Sequence, residues 1–391
     1  MKILISGFET CGLICDLAAH LRQSGHQVTT VGDGNAFYDG TFDYAQTDFL
    51  SQWFAVRAAK RTPKWFLKAL WHSKLYHPLE SRLRTNLLKG CELYIQICAG
   101  VPNQREMLEK CRSLNIPSAV LLMGSDVRDY PTFVKDYDVG DWQIPESYLK
   151  VPTRSKRQRL YEVETLADAV FSVPDQMGLA TRPYYHLQVP LKLEKFRPHI
   201  SGQSKPKVLH APSNSSIKGT KLIEATIERL EQEGVPLEYV RLSGVAHTEV
   251  IRILADVDVV VDELVLHGPG WLSFEAMASG CAVATRYLED SPACFRPPVV
   301  NIDHRCIYAK LRQLLLDRQM RVRLAEIGLE YVKKNSISQV VNDIIQKAQR
   351  PNDFSPDYYP ARLPNTIQPA SELQSRTPAI AIETTQQVSA R

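Results

Sequence analysis

No apolar run in this chain approaches the roughly 18 residues needed to span a bilayer. The opening Met1-Lys2-Ile3-Leu4-Ile5-Ser6-Gly7 is too short an apolar stretch for a secretory signal. Eight cysteines (11, 15, 91, 98, 111, 281, 294 and 306) form no C-x-x-C pair and no His/Cys metal spacing, so no metal is expected. Reduced thiols, mostly buried, in a cytoplasmic protein are the preferred reading. The net charge of +4 is too small to argue for nucleic acid, and none is expected as a partner. The first turn lacks the full G-x-G-x-x-G spacing, and no acid about 20 residues on is clearly placed; both points argue against a nicotinamide dehydrogenase.

What is present is a soluble composition, 44% apolar and 23% charged, in 391 residues. That length suits two domains of roughly 150 to 200 residues plus extras. Strand and helix patterns alternate through the first half. Lys2–Ser6 reads as a strand, and Leu13, Leu17 and Leu21 mark the helix after it. Gln27–Val31, Leu93–Ile97, Ser118–Leu122 and Ala169–Val173 read as further strands, with helices at Gln104–Leu114 and through Leu160 and Leu166. The second half repeats the scheme: strands at Lys207–Ala211, Leu237–Leu242, Val257–Asp262 and Ala282–Thr285. Its helices fall at Thr220–Glu233, near Thr248–Ala255 and over Ile307–Val332. Such alternation predicts an α/β protein of two doubly wound Rossmann-like domains facing a cleft. The expected division is 1–190, 191–350 and a tail, 351–391, whose six prolines and weak periodicity predict disorder.

The densest signal is Asp262 to Gly280. An apolar strand runs into the glycine-rich turn Gly268-Pro269-Gly270, and Ser273 to Ala278 is expected to open a helix carrying Glu275 in its first turn. Free backbone N–H groups and the helix dipole make such a junction an anion site. A carboxylate there opposes an anion and suits sugar or ribose hydroxyls instead. Phosphate plus hydroxyls points to a nucleotide sugar or a dinucleotide.

One segment departs from the rest. Between Val56 and Lys89 nine basic residues face one acid, Glu80, with Trp65 and Trp71 interleaved near Lys64 and Lys68. Basic residues with Trp at helical spacing suit an anionic membrane surface. A solvated basic face over core Trp residues accounts for the same pattern, as does recognition of an anionic acceptor.

The second half resembles the GT-B fold, and in particular the retaining, nucleotide-sugar-dependent glycosyltransferases called family 4. The resemblance is carried by four segments. These are His210-Ala211-Pro212-Ser213-Asn214 to Lys218-Gly219-Thr220, Ala255 to Asp262, Phe274-Glu275-Ala276-Met277-Ala278-Ser279-Gly280, and Val189-Pro190-Leu191 to Phe196-Arg197-Pro198. A weaker likeness in the first half rests on Gly7, Gly12 and Gly124-Ser125-Asp126. The resemblance implies an acceptor-side domain followed by a donor domain. It implies that Lys218, Asn214 and the amides around Gly268 and Gly270 meet the donor diphosphate, and that Glu275 meets the ribose. It further implies that Asp126, the catalytic candidate, faces the transferring sugar or the acceptor hydroxyl, and that Gly7 and Gly12 let the first loop approach the substrates. Catalysis would need no metal and no cofactor beyond the nucleotide sugar as co-substrate. The expected location is cytoplasmic, at or near the inner membrane face, with a lipid-linked or surface-polysaccharide acceptor.

Two departures stand out. His267 occupies a position where the family commonly has a glutamate, and Asn214-Ser215-Ser216 replace an arginine. His267 and Arg286 are the candidates to replace the missing groups. The departures also leave open a non-catalytic nucleotide-sugar binder, and the shared fold leaves open a 2-epimerase.

Overall fold

The computed structural model describes residues 1–34, 40–46, 49–50 and 75–360. The first unit comprises β1 (Lys2–Gly7), α1 (Leu13–Gln23), β2 (Gln27–Val31), α2 (Tyr76–Asn86), β3 (Leu93–Ile97) and α3 (Gln104–Ser113). It continues with β4 (Ser118–Leu121), α4 (Tyr130–Asp136), α5 (Glu146–Leu149), α6 (Thr153–Leu166), β5 (Ala169–Ser172) and β6 (Tyr185–His186). These strands form one six-stranded sheet in the order β2-β1-β3-β4-β5-β6, every pair parallel. The central strands β1 and β3 are buried at successive positions because both faces are covered: Ile3 and Ile5 enter one core while Leu4 enters the other.

The second unit comprises β7 (Lys207–His210), α7 (Ser215–Lys218), α8 (Thr220–Gln232), β8 (Glu238–Arg241), α9 (His247–Leu254) and β9 (Val259–Val261). It continues with α10 (Trp271–Ala278), β10 (Ala282–Thr285), β11 (Val300–Asn301), α11 (Ile307–Leu316) and α12 (Arg318–Val332). Its five strands are also parallel, in the order β11-β10-β9-β7-β8. The helical pattern over Ile307–Val332 is two helices, not one. Asp317 breaks it, leaving helical geometry so that its carboxylate can accept from the Met320 amide at 2.8 Å and cap α12.

A division at 190/191 puts the last helix, α13 (Ile337–Gln349), in the second unit. Its apolar stripe, Ile337, Val340, Val341, Ile344 and Ala348, instead packs with Ile3, Ile95 and Phe171 on the first sheet. The chain thus returns to the unit where it began. The expected disorder from 351 also starts too early. Phe354 packs against the same core, and Tyr358 pairs antiparallel with Tyr184 and stacks on its ring. The rest of that tail, from 361, lies outside the described residues, as do Lys64, Trp65, Lys68 and Trp71. Arg84, one of the nine basic residues, is turned inward. It lies over the Phe49 ring and donates to Glu80 at 2.6 Å.

Among the described residues no helix is long and apolar enough to cross a membrane.

Candidate functional site

The loops at the carboxyl ends of β1, β4 and β5 and those of β7, β8 and β9 line one cavity of about 570 Å³. That is where parallel α/β sheets place ligands, because strand ends expose backbone groups and helix N-termini to a shared crevice. Beside the cavity, Tyr130 and Phe133 of the first unit pack on Ile217, Val265 and Leu266 of the second.

On the second unit's wall, Asp262 ends the strand and organises the glycine loop. Its Oδ1 accepts from Lys218 Nζ at 2.8 Å, while Oδ2 accepts from the Gly270 amide at 3.0 Å and from Ser273 Oγ at 2.7 Å. Glu263 Oε2 lies 3.2 Å from the same ammonium. Burial works against the Lys218 charge, but the two carboxylates outweigh it and raise its pKa. Burial likewise opposes ionisation of Asp262, yet Lys218 holds that carboxyl below its ordinary range; in Glu263 burial prevails and the pKa is raised. Lys218 therefore reaches the cavity already engaged. Gly270 is required by space: a Cβ there would lie 2.7 Å from both Asp262 Oδ2 and Lys218 Nζ.

Helix α10 begins at Trp271, so Glu275 sits in its second turn and not in the first. The helix starts two residues earlier than the apolar pattern indicates, and Asp262 flanks that start through the Gly270 amide and the Ser273 hydroxyl. Glu275 is buried at the cavity and accepts from His247 Nε2 at 2.6 Å. His247 is a residue that sequence reasoning misses; it opens a short helix and belongs to no recognisable spacing.

The opposite wall carries Glu9, Arg128, Tyr148 and Asp175. Arg128 donates from Nε and Nη2 to a single oxygen of Asp175, at 3.1 and 2.8 Å. Glu9 accepts from the Ile14 and Cys15 amides at 3.3 Å, and burial raises its pKa against those contacts. Asn214 spans the cleft: its Oδ1 accepts from Ser216 N at 3.1 Å, and its Nδ2 donates to Tyr148 Oη at 2.9 Å.

Other predicted residues sit elsewhere. His267 is turned from the cavity into the contact between units, with its ring 4.3 Å from Tyr137 and 5.5 Å from Phe133. Burial, reinforced by the Arg286 and Arg128 charges, pushes its pKa down to about 3. Arg286 spends its guanidinium on the carbonyls of Val265 and Asp138, at 3.2 and 2.6 Å. Neither residue supplies a charge at the cavity, so neither replaces the missing groups. Asp126 accepts from the Gly124, Ala99 and Met123 amides at 2.7, 2.8 and 3.4 Å, which makes it an organiser of the loop that follows β4. Gly7 lies so close to β3 that a Cβ would fall 2.3 Å from the Ile97 carbonyl oxygen. Gly12 has φ 76° at the start of α1. Both glycines thus serve the strand-to-helix turn, and it is Glu9, Thr10 and Cys11 that face the cavity. Gly268 does line it. Among the described residues, no group of three or more His, Cys, Asp or Glu side chains is placed to hold a metal ion.

No protein-family model matches the chain, and no curated protein matches it. Solved structures do. TarM shares 11% identity at a TM-score of 0.60, with 88% of this chain and 98% of that one covered. Sucrose-phosphate synthase from Thermosynechococcus elongatus shares 13% at 0.55, covering 91% and 100%. HepE from Anabaena, solved in complex with UDP-glucose, shares 10% at 0.51, covering 89% and 99%. Two parallel sheets, strand ends facing one crevice, and likeness over nearly the full length of these proteins give the chain the GT-B fold of glycosyltransferases.

Proposed function

We propose that this protein is a glycosyltransferase that moves a sugar from a nucleoside diphosphate to an acceptor hydroxyl. The observation that carries the reading is the meeting of Lys218, the Gly268–Gly270 loop and buried Glu275 on one wall of the cleft. The diphosphate would lie against the loop amides and the N-terminus of α10, where the dipole favours negative charge. Glu275, steadied by His247, would accept from the ribose hydroxyls. As the sugar C1–O bond to the diphosphate breaks, Lys218 meets the charge gained by the leaving group. A C1–O bond to the acceptor forms, and the acceptor's proton leaves on the departing diphosphate. Retention of configuration follows the resemblance, as does a metal-free reaction in which Lys218 and the helix end meet the diphosphate charge. The basic, Trp-bearing segment 56–89 suits a lipid-linked or membrane-surface acceptor at the cytoplasmic face.

The test is a thermal-shift and transfer assay with UDP-, GDP- and ADP-linked sugars, Glu275→Ala serving as control. At least one donor should raise the melting temperature of the wild type and none that of the variant. No response to any donor, or full activity in Glu275→Ala, overturns the reading.

A second reading, a binder without turnover, is favoured by one observation: among the described residues the cleft cations Lys218 and Arg128 are already paired, Lys218 with Asp262 and Glu263, and Arg128 with Asp175. Donor binding with no product across many acceptors would establish it.

A further inference from the structure

Arg128 directs two N–H groups at Asp175 Oδ2 and leaves Oδ1 bare. The Asp175 side chain is fully buried, yet Oδ1 has no hydrogen-bond partner. Buried carboxylate oxygens are normally satisfied, so an unpartnered one on a residue that lines a cavity marks the place of a donor that arrives with a ligand. Asp175 stands just beyond β5, at the carboxyl end of the first sheet, and lines the cleft. Across from it is the glycine loop: a Cβ placed on Gly268 would lie 3.6 Å from Oδ1. The loop's preceding side chain, His267, is turned away onto Tyr137. The first unit thus supplies the acidic group at this point of the cavity.

We propose that Asp175 Oδ1 accepts a hydrogen bond from a hydroxyl of the donor's sugar, with Arg128 holding the carboxylate in place. The ligand chemistry follows from the group. An ionised carboxylate only accepts, so it takes an O–H and repels phosphate oxygens. Its place against the Gly268 loop puts that hydroxyl on the sugar next to the diphosphate, and no acceptor is needed for the contact. This inference rests on the glycosyltransferase reading and names the residue that reads the sugar.

The test compares binding of a nucleoside diphosphate with binding of its sugar conjugate, by calorimetry and without acceptor. UDP with UDP-glucose, GDP with GDP-mannose and ADP with ADP-glucose are the probes. Asp175→Asn should bind the free diphosphate as the wild type does and the conjugate about 10- to 100-fold more weakly, as expected for a hydrogen bond to a charged group. A purely structural Asp175 would weaken both ligands together, and that result overturns the inference, as does equal binding of the conjugate by variant and wild type. The unmodified protein provides a second test should the variant fail to fold. Among monodeoxy-sugar conjugates, at least one must lose affinity by a similar factor; uniform affinity across the series overturns the inference. If no nucleoside diphosphate binds the wild type, the glycosyltransferase reading falls and takes this inference with it.

Discussion

His247 Nε2 donates to Glu275 Oε1 across 2.6 Å, joining the first residue of α9 to the second turn of α10. The carboxylate at the cleft is therefore aimed by a neighbouring helix. Removing Glu275 and removing His247 should differ in consequence. Glu275→Ala should abolish nucleotide binding measured by calorimetry. His247→Ala should weaken it by about 1.5–3 kcal/mol, since the acid stays but loses a charged hydrogen bond. Wild-type affinity in His247→Ala would show that Glu275 needs no such support.

Lys218 carries a structural load as well as a proposed catalytic one. Lys218→Ala leaves Asp262 and Glu263 buried with no cation, which should lower stability by about 3–5 kcal/mol in urea denaturation. Lys218→Met combined with Asp262→Asn and Glu263→Gln should recover part of that loss, because no unpaired charge is then buried. A single variant as stable as the wild type would show that the carboxylates need no partner.

Gly270 has φ −71°, a conformation open to any residue, so its constraint is space alone. Gly270→Ala should push Asp262 and Lys218 aside, costing about 1–3 kcal/mol of stability. Nucleotide binding should fall with it, since the Gly270 amide and the Lys218 ammonium are displaced together. Unchanged binding by calorimetry would separate the loop from the ligand.

His267 links stability to pH. Its folded pKa, near 3, lies below the value of about 6.5 for the unfolded chain. Between those values the unfolded state binds the extra proton. The stabilisation is therefore complete above pH 6.5 and is lost progressively as pH falls toward 3. His267→Phe keeps a ring against Tyr137 and should flatten the stability slope below pH 6.5 by up to about 1.4 kcal/mol per pH unit. His186, also pushed down to about 3, keeps its own share of the slope in that variant. An unchanged slope would mean that His267 titrates freely.

Most of the fold is legible in the sequence because its strands are short, apolar and separated by amphipathic helices. Gln27–Val31, Leu93–Ile97 and Ala282–Thr285 fall on the observed strands. The glycine loop is legible too, since its composition is local. What escapes is whatever depends on distant partners. His267 faces away from the cavity because Phe133 and Tyr137 receive it, and they stand on another unit. Asp175 matters through Arg128, on the loop of a different strand. Helix α13 has an ordinary apolar stripe that does not say which sheet it will cover. Glu275 is found, but its turn is not, because the helix begins at Trp271, ahead of the apolar pattern.

The return of α13 to the first sheet means that the chain passes between units twice, and the two passages touch. The Leu191 amide donates to the Asn335 carbonyl at 2.7 Å, the Ile337 amide donates to the Leu191 carbonyl at 2.8 Å, and Leu191 bridges in parallel to Ser336. Topologically the second unit is an insertion, entered and left through one doorway of paired backbone. Two bonded crossings fix the second unit's chain ends side by side, where a single tether would leave one end free.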